Sequence, residues 1–83
     1  MTQDEIRDAM FGIIRFALGN ETLELSSKMT AKDVAEWDSV RQVMIILGVE
    51  EKFGIRLSSR EIDSLRNVGD FLTLINAKTN ATS

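Results

Sequence analysis

Apolar residues recur with a helical period from the start of the chain. Ile6, Ala9, Met10, Ile13, Ile14, Ala17 and Leu18 fall three or four positions apart, the spacing that places side chains on one face of an α-helix. Thr2 is followed three residues later by Glu5, as in a capping box, so this helix is expected to begin near Thr2 or Gln3. Gly19-Asn20 is expected to stop it. The stripe reads as one wall of a core, because the polar face is too weakly charged for a helix that lies on a membrane. Residues 20–38 lose the period. Leu23, Leu25, Met29, Val34 and Trp37 are scattered among polar residues there, which predicts a long connection pinned to the core by those side chains. Connections of this length are uncommon in compact domains and frequently functional.

A second helix is predicted from Asp38-Ser39 to Phe53, with Gly54 ending it. Val40, Val43, Ile46, Leu47 and Phe53, with either Val49 or Glu50, are expected to share one face. Arg41, Met44, Gly48 and Lys52 are assigned to the opposite side. Ile55-Arg56-Leu57 reads as a short extended link, after which Ser58 or Ser59 caps a brief segment from Arg60 to Leu65. Asn67 caps a last helix from Val68 to about Ala77, with Val68, Phe71, Leu72 and Ile75 as its buried stripe. The remaining residues 78–83 are small and polar and are expected to form a frayed or disordered tail. The fold class is therefore all-α. It is a small four-helix bundle, three main helices and one short one, with a long first loop and a single domain over residues 1–77.

Composition narrows the chemistry. A chain of 83 residues fits one domain, and a domain of this size buries roughly 60% of its unfolded surface. Cysteine and histidine are both absent. Disulfides, thiolate metal sites, the usual zinc ligand and the usual general base are thereby excluded, and an enzymatic role is not expected. The formal charge is −3 and the basic residues are scattered singly, so no footprint for nucleic acid or anionic lipid is present. A mildly acidic domain favours partners with basic docking patches. The apolar-rich stretch Val40–Val49 contains Arg41 and Gln42 and is too short to span a bilayer. The polar start MTQDEIRD lacks the form of a secretory signal. A cytoplasmic monomer without membrane insertion is expected.

Three segments carry the functional signal. Asp38-Ser39-Val40 opens the second helix, Glu50-Glu51-Lys52-Phe53-Gly54-Ile55 closes it, and Val68-Gly69-Asp70-Phe71 opens the last. In this order and spacing they resemble the acyl carrier protein family in its broad sense, which includes peptidyl carrier proteins. The resemblance runs from about Ile6 to Ile75. It implies that a phosphopantetheinyl transferase attaches 4′-phosphopantetheine, derived from coenzyme A, to the Ser39 hydroxyl. The terminal thiol of that arm would hold acyl or aminoacyl groups as thioesters, which suits a chain with no cysteine of its own. Loading and condensing enzymes are the further partners implied. Asp38 is expected to cap the helix and to belong to the motif that partners read.

The physical chemistry of the position is compatible. A helix N-terminus offers unpaired N–H groups and the positive end of the helix dipole, both favourable to a phosphate. The serine has no paired base, so the transferase must supply one. Ser and Asp at a helix start also serve simply as caps, and an unmodified helical interaction module is the competing reading. The partner surface is expected to include Trp37, Val40, Arg41, Met44, Glu50 and Glu51. Of these, Trp37 also reads as a loop anchor and Glu50-Glu51 as a solvated helix end. Arg41 and Met44 stand where fatty-acid carriers commonly have carboxylates. Glu36-Trp37 replaces the usual Gly and small residue before the Asp. Both departures point towards a specialised pathway and a different partner set, with Met44 as an apolar contact and Arg41 as a discriminator.

Overall fold

The computed structural model describes residues 2–81. Its elements are helix α1 (Gln3–Leu18), a single 3-10 turn (Ala31–Asp33), helix α2 (Ser39–Phe53), short helix α3 (Ser59–Asp63) and helix α4 (Val68–Ala81). The predicted all-α bundle with a long first connection is what the structure shows.

Local signals place most helix ends. The Glu5 N–H donates to Thr2 Oγ1 at 3.1 Å and the Thr2 N–H returns to Glu5 Oε1 at 2.9 Å, closing a reciprocal capping box. The Thr2 backbone bond is the main reason the Glu5 carboxyl lies below its ordinary pKa. Gly19 ends α1 at φ 67° and Gly54 ends α2 at φ 65°, the left-handed conformation that glycine adopts without a Cβ penalty. Ser58, rather than Ser59, caps α3, with Glu61 completing a second box. The Ser58 backbone, and then Lys78, hold the Glu61 carboxyl low. Asn67 Oδ1 accepts from the Asp70 N–H at 2.8 Å at the start of α4.

The core draws on every long helix and on the loop. Ile6, Met10 and Ile14 of α1 meet Ile45 and Val49 of α2 and Val68, Phe71 and Ile75 of α4, with Val34 and Ile55 buried at the margins. Leu23, Leu25, Met29 and Trp37 pack half-buried against them, so the connection is pinned as its scattered apolar residues predict. Among the described residues no polar or charged side chain is buried.

The loop is also held through its backbone. The Val68 N–H donates to the Met29 carbonyl at 2.9 Å and the Gly69 N–H to the Ser27 carbonyl at 2.8 Å, while Arg15 Nε donates to the Leu23 carbonyl at 2.8 Å. This explains Gly69. A Cβ at that position would stand 3.0 Å from the Ser27 oxygen, a backbone atom that can yield only by moving the loop. Gly69→Ala is expected to cost about 1–2 kcal/mol of stability through this overpacking, read as a lower urea midpoint with an unchanged slope.

Two expectations are corrected. The first concerns the face of α2. Val40, Val43 and Leu47, grouped on the face opposite Arg41 and Met44, are 69%, 54% and 58% exposed, while Ile45 and Val49 are buried. Arg41 and Gly48, assigned outward, turn towards α1: Arg41 Nη1 donates to the Leu18 carbonyl at 2.9 Å, and a Cβ on Gly48 would lie 2.9 Å from Ile13 Cγ2. The helix is rotated by roughly a third of a turn from the expected orientation. The reason is that α2 is apolar almost all round, so its pattern alone selects no face. The missing side chain of Gly48 and the tethers of its first turn select it instead.

The second correction concerns the C-terminal end. The last helix continues to Ala81, past the expected stop at Ala77. Thr79 Oγ1 donates to the Ile75 carbonyl at 2.9 Å, and Lys78 Nζ pairs with Glu61 Oε2 of α3 at 2.9 Å. The part of the expected tail beyond Ala81 lies outside the described residues.

Candidate functional site

Ser39 is the first residue of α2, exposed where the loop ends. Asp38 is the N-cap: its Oδ1 accepts from the Arg41 N–H at 2.9 Å, and its carbonyl accepts from the Gln42 N–H at 2.9 Å. With those two amides engaged, the N–H groups of Ser39 and Val40 have no partner among the described residues, and neither has the Ser39 hydroxyl. The site therefore presents a free hydroxyl beside two free amide donors at the positive end of a 15-residue helix, an arrangement that suits a phosphodiester. Asp38→Ala is expected to destabilise the fold by about 1 kcal/mol through loss of the cap, seen in thermal melts, with Ser39 still on the surface.

The expected partner surface divides in two. Val40, Met44 and Glu51 face solvent. Trp37 does not stand free. Half-buried, it donates its indole N–H to Gln42 Oε1 and anchors the loop to the start of α2. Glu50 is turned inward, and its Oε2 accepts from the Leu57 N–H at 2.9 Å, fastening the link that follows α2. Arg41 is half-buried and committed to the end of α1, so the expectation of an outward discriminating charge is corrected: the side chain is a strut between two helices. It joins the exit of α1 to the first turn of α2, where Ser39 sits.

Sequence reasoning missed the extent of the apolar exterior. Val43 and Leu47 join Val40 and Met44 on the outside of α2, and Phe16 of α1 is 83% exposed. The signal was present for Phe16, which falls outside the helical stripe of α1. Beside it, α1 and α2 bound an apolar surface groove of about 620 Å³, walled by Ile13, Phe16, Met44 and Leu47.

No family model matches the chain, but individual relatives do. An acyl carrier protein of Acidothermus cellulolyticus is 30% identical over 75 residues, covering 90% of this chain and 89% of that protein. The chain belongs to the acyl carrier protein family. A meromycolate extension acyl carrier protein of Mycobacterium leprae is 32% identical over 75 residues, of which the chain spans only 65% of that protein's length. Among solved structures, the holo acyl carrier protein of Geobacter metallireducens superposes with a TM-score of 0.86 at 27% identity, covering 93% of this chain and 88% of that one.

The fold and the family agree with a carrier rather than an enzyme. Acyl carrier proteins work with a phosphopantetheine group, and the exposed serine and free amides described above fit one. That group, when bound, supplies the thiol on which an acyl group rides. Among the described residues no cluster of acidic side chains is arranged to hold a metal ion, and no helix is long and apolar enough to cross a membrane.

Proposed function

We propose that Ser39 is the attachment point of 4′-phosphopantetheine and that this carrier presents acyl or aminoacyl thioesters to the enzymes of a specialised biosynthetic pathway. The observation that carries the reading is the Ser39 hydroxyl itself. It is exposed, unbonded among the described residues, and set at the start of α2 in an acyl-carrier fold. Asp38 fixes the first turn so that the hydroxyl projects from a rigid helix rather than from a mobile loop. The two free amides beside it bind and orient the phosphate. With no base next to Ser39, its proton must pass to a group on the transferase.

The specialised role is supported by the outer face of α2. Partners approaching Ser39 along this helix meet Val40, Val43, Met44 and Leu47, and Arg41 is turned aside. An apolar face of this kind suits partners that dock by burying surface more than by pairing charges.

The decisive experiment incubates the unmodified protein with coenzyme A and a promiscuous phosphopantetheinyl transferase, then measures intact mass. A gain equal to one phosphopantetheine is expected. An unchanged mass, with a control carrier loaded in the same tube, sinks the proposal.

A further inference from the structure

The turn that carries Ser39 has no anchor in the core. Val34 is buried in the loop and Ile45 in α2, and no side chain between them is fully buried. This stretch also includes the start of α2, where the first amides have no intrahelical acceptor. Hydrogen bonds hold it instead, and they do different things. Asp38 Oδ1 accepts from the Arg41 N–H, and the Trp37 indole donates to Gln42 Oε1. Both bonds close within residues 37–42, so they stiffen the turn without fixing it against the bundle. Arg41 reaches further. Its Nη1 spans 23 positions of sequence to donate to the Leu18 carbonyl at 2.9 Å. Among the described residues no other side-chain hydrogen bond joins 35–44 to another helix.

Arg41 also stands against the local electrostatic rule. The first turn of a helix favours acidic side chains and disfavours cations, yet α2 has no acid there and has Arg41 as its third residue. The compensation lies in α1. The Gly19 and Asn20 N–H groups turn back to the Arg15 and Phe16 carbonyls and leave the Leu18 carbonyl to Arg41. A guanidinium at that point meets the negative end of the α1 dipole. A side chain that is unfavourable in its own helix and favourable at the end of the next one has a tertiary role, and such breaches of local rules gather at functional sites. Arg41 is not aimed at Ser39 itself, since residues two apart in a helix do not face each other.

Loading depends on position. The Ser39 Oγ forms a bond to the phosphorus that bears pantetheine, the nucleotide half of coenzyme A leaves with its phosphate, and the hydroxyl proton passes to the transferase. A misplacement of about 1 Å in such a step can cost on the order of a hundredfold in rate. We propose that the Arg41–Leu18 strut positions Ser39 for loading, by holding the first turn of α2 against the end of α1. Arg41 is a positioning residue and acts through that turn. The proposal rests on Ser39 bearing the arm. The outer face of α2 stays fixed through Ile45 and Val49, so loss of the strut leaves docking intact and slows the step that follows it.

The test measures kcat and KM for the carrier with coenzyme A and a promiscuous transferase, and amide hydrogen exchange in the unmodified protein. Intact mass of the parent is read first. If the parent takes no arm, the Ser39 reading fails and the strut falls with it. If it loads, Arg41→Met is expected to lower kcat about tenfold with KM held within about twofold. Exchange at positions 41 and 42 should quicken while Val49 and Ile75 keep their protection. Arg41→Lys is expected to recover most of both, because the bond to Leu18 is single and an ammonium can donate it. Arg41→Gln, two bonds shorter than arginine, replaces the methionine variant should that one unsettle the fold. A raised KM with kcat unchanged would make Arg41 a contact of the transferase and overturn the proposal. Loading at the parental rate despite faster exchange would reduce the strut to stability alone. Unchanged exchange at 41 and 42, exchange that quickens equally at Val49 and Ile75, or a lysine variant as slow as the methionine one would also overturn it.

Discussion

Ile45→Ala is expected to cost about 2–5 kcal/mol of stability, the range for removing a large aliphatic side chain from a packed core. Ile45 is fully buried in the core that α1, α2 and α4 share. Native domains hold only about 5–15 kcal/mol in total, so a substantial part of the urea midpoint should be lost. Leu47→Ala, two residues later, should shift the same midpoint by no more than ~0.5 kcal/mol, because Leu47 is 58% exposed. The pair decides which face of α2 looks inward. A large loss at Leu47 with a small one at Ile45 would restore the orientation that periodicity alone suggests.

Ser39→Ala is expected to abolish loading completely and to leave the fold untouched. The hydroxyl has no hydrogen-bond partner among the described residues, Asp38 remains as the cap, and alanine is the better helix former. The urea midpoint should therefore stay within the equivalent of ~0.5 kcal/mol while the mass gain disappears. This separation makes the variant informative, since loss of loading cannot be blamed on unfolding. Ser58 is a poor substitute acceptor: its hydroxyl already receives the Glu61 N–H at 3.1 Å. A variant that still gained mass would relocate the attachment point and remove the basis for the proposed function.

The parts legible in the sequence are those whose partners are close by in the chain. The Thr2–Glu5 and Ser58–Glu61 boxes, the Asp38 cap and the terminating glycines at 19 and 54 all act within one turn, and each lies where its residue type predicts. The proposed attachment point, Ser39, is legible for the same reason, as a local motif at a helix start. What the sequence could not show depends on distant partners. Arg41 reads as an outward charge until the Leu18 carbonyl is placed beside it. Glu50 reads as a solvated helix end until Leu57 returns to it. Lys78 reads as part of a polar tail until Glu61 of α3 meets it. The face of α2 was the hardest to read, because Val40, Val43, Met44, Ile45, Ile46, Leu47 and Val49 spread around the helix and mark no single face.

The packing of α1 against α4 has a consequence for how the carrier comes into being. Ile6, Met10 and Ile14 lie in one core with Val68, Phe71 and Ile75, and the loop that delivers Ser39 is fastened to the first residues of α4. Helix α1 therefore has no complete partner until α4 has been synthesised. On a ribosome, the serine would emerge well before the scaffold that presents it. An enzyme that recognises the folded start of α2 must therefore wait until α4 is in place.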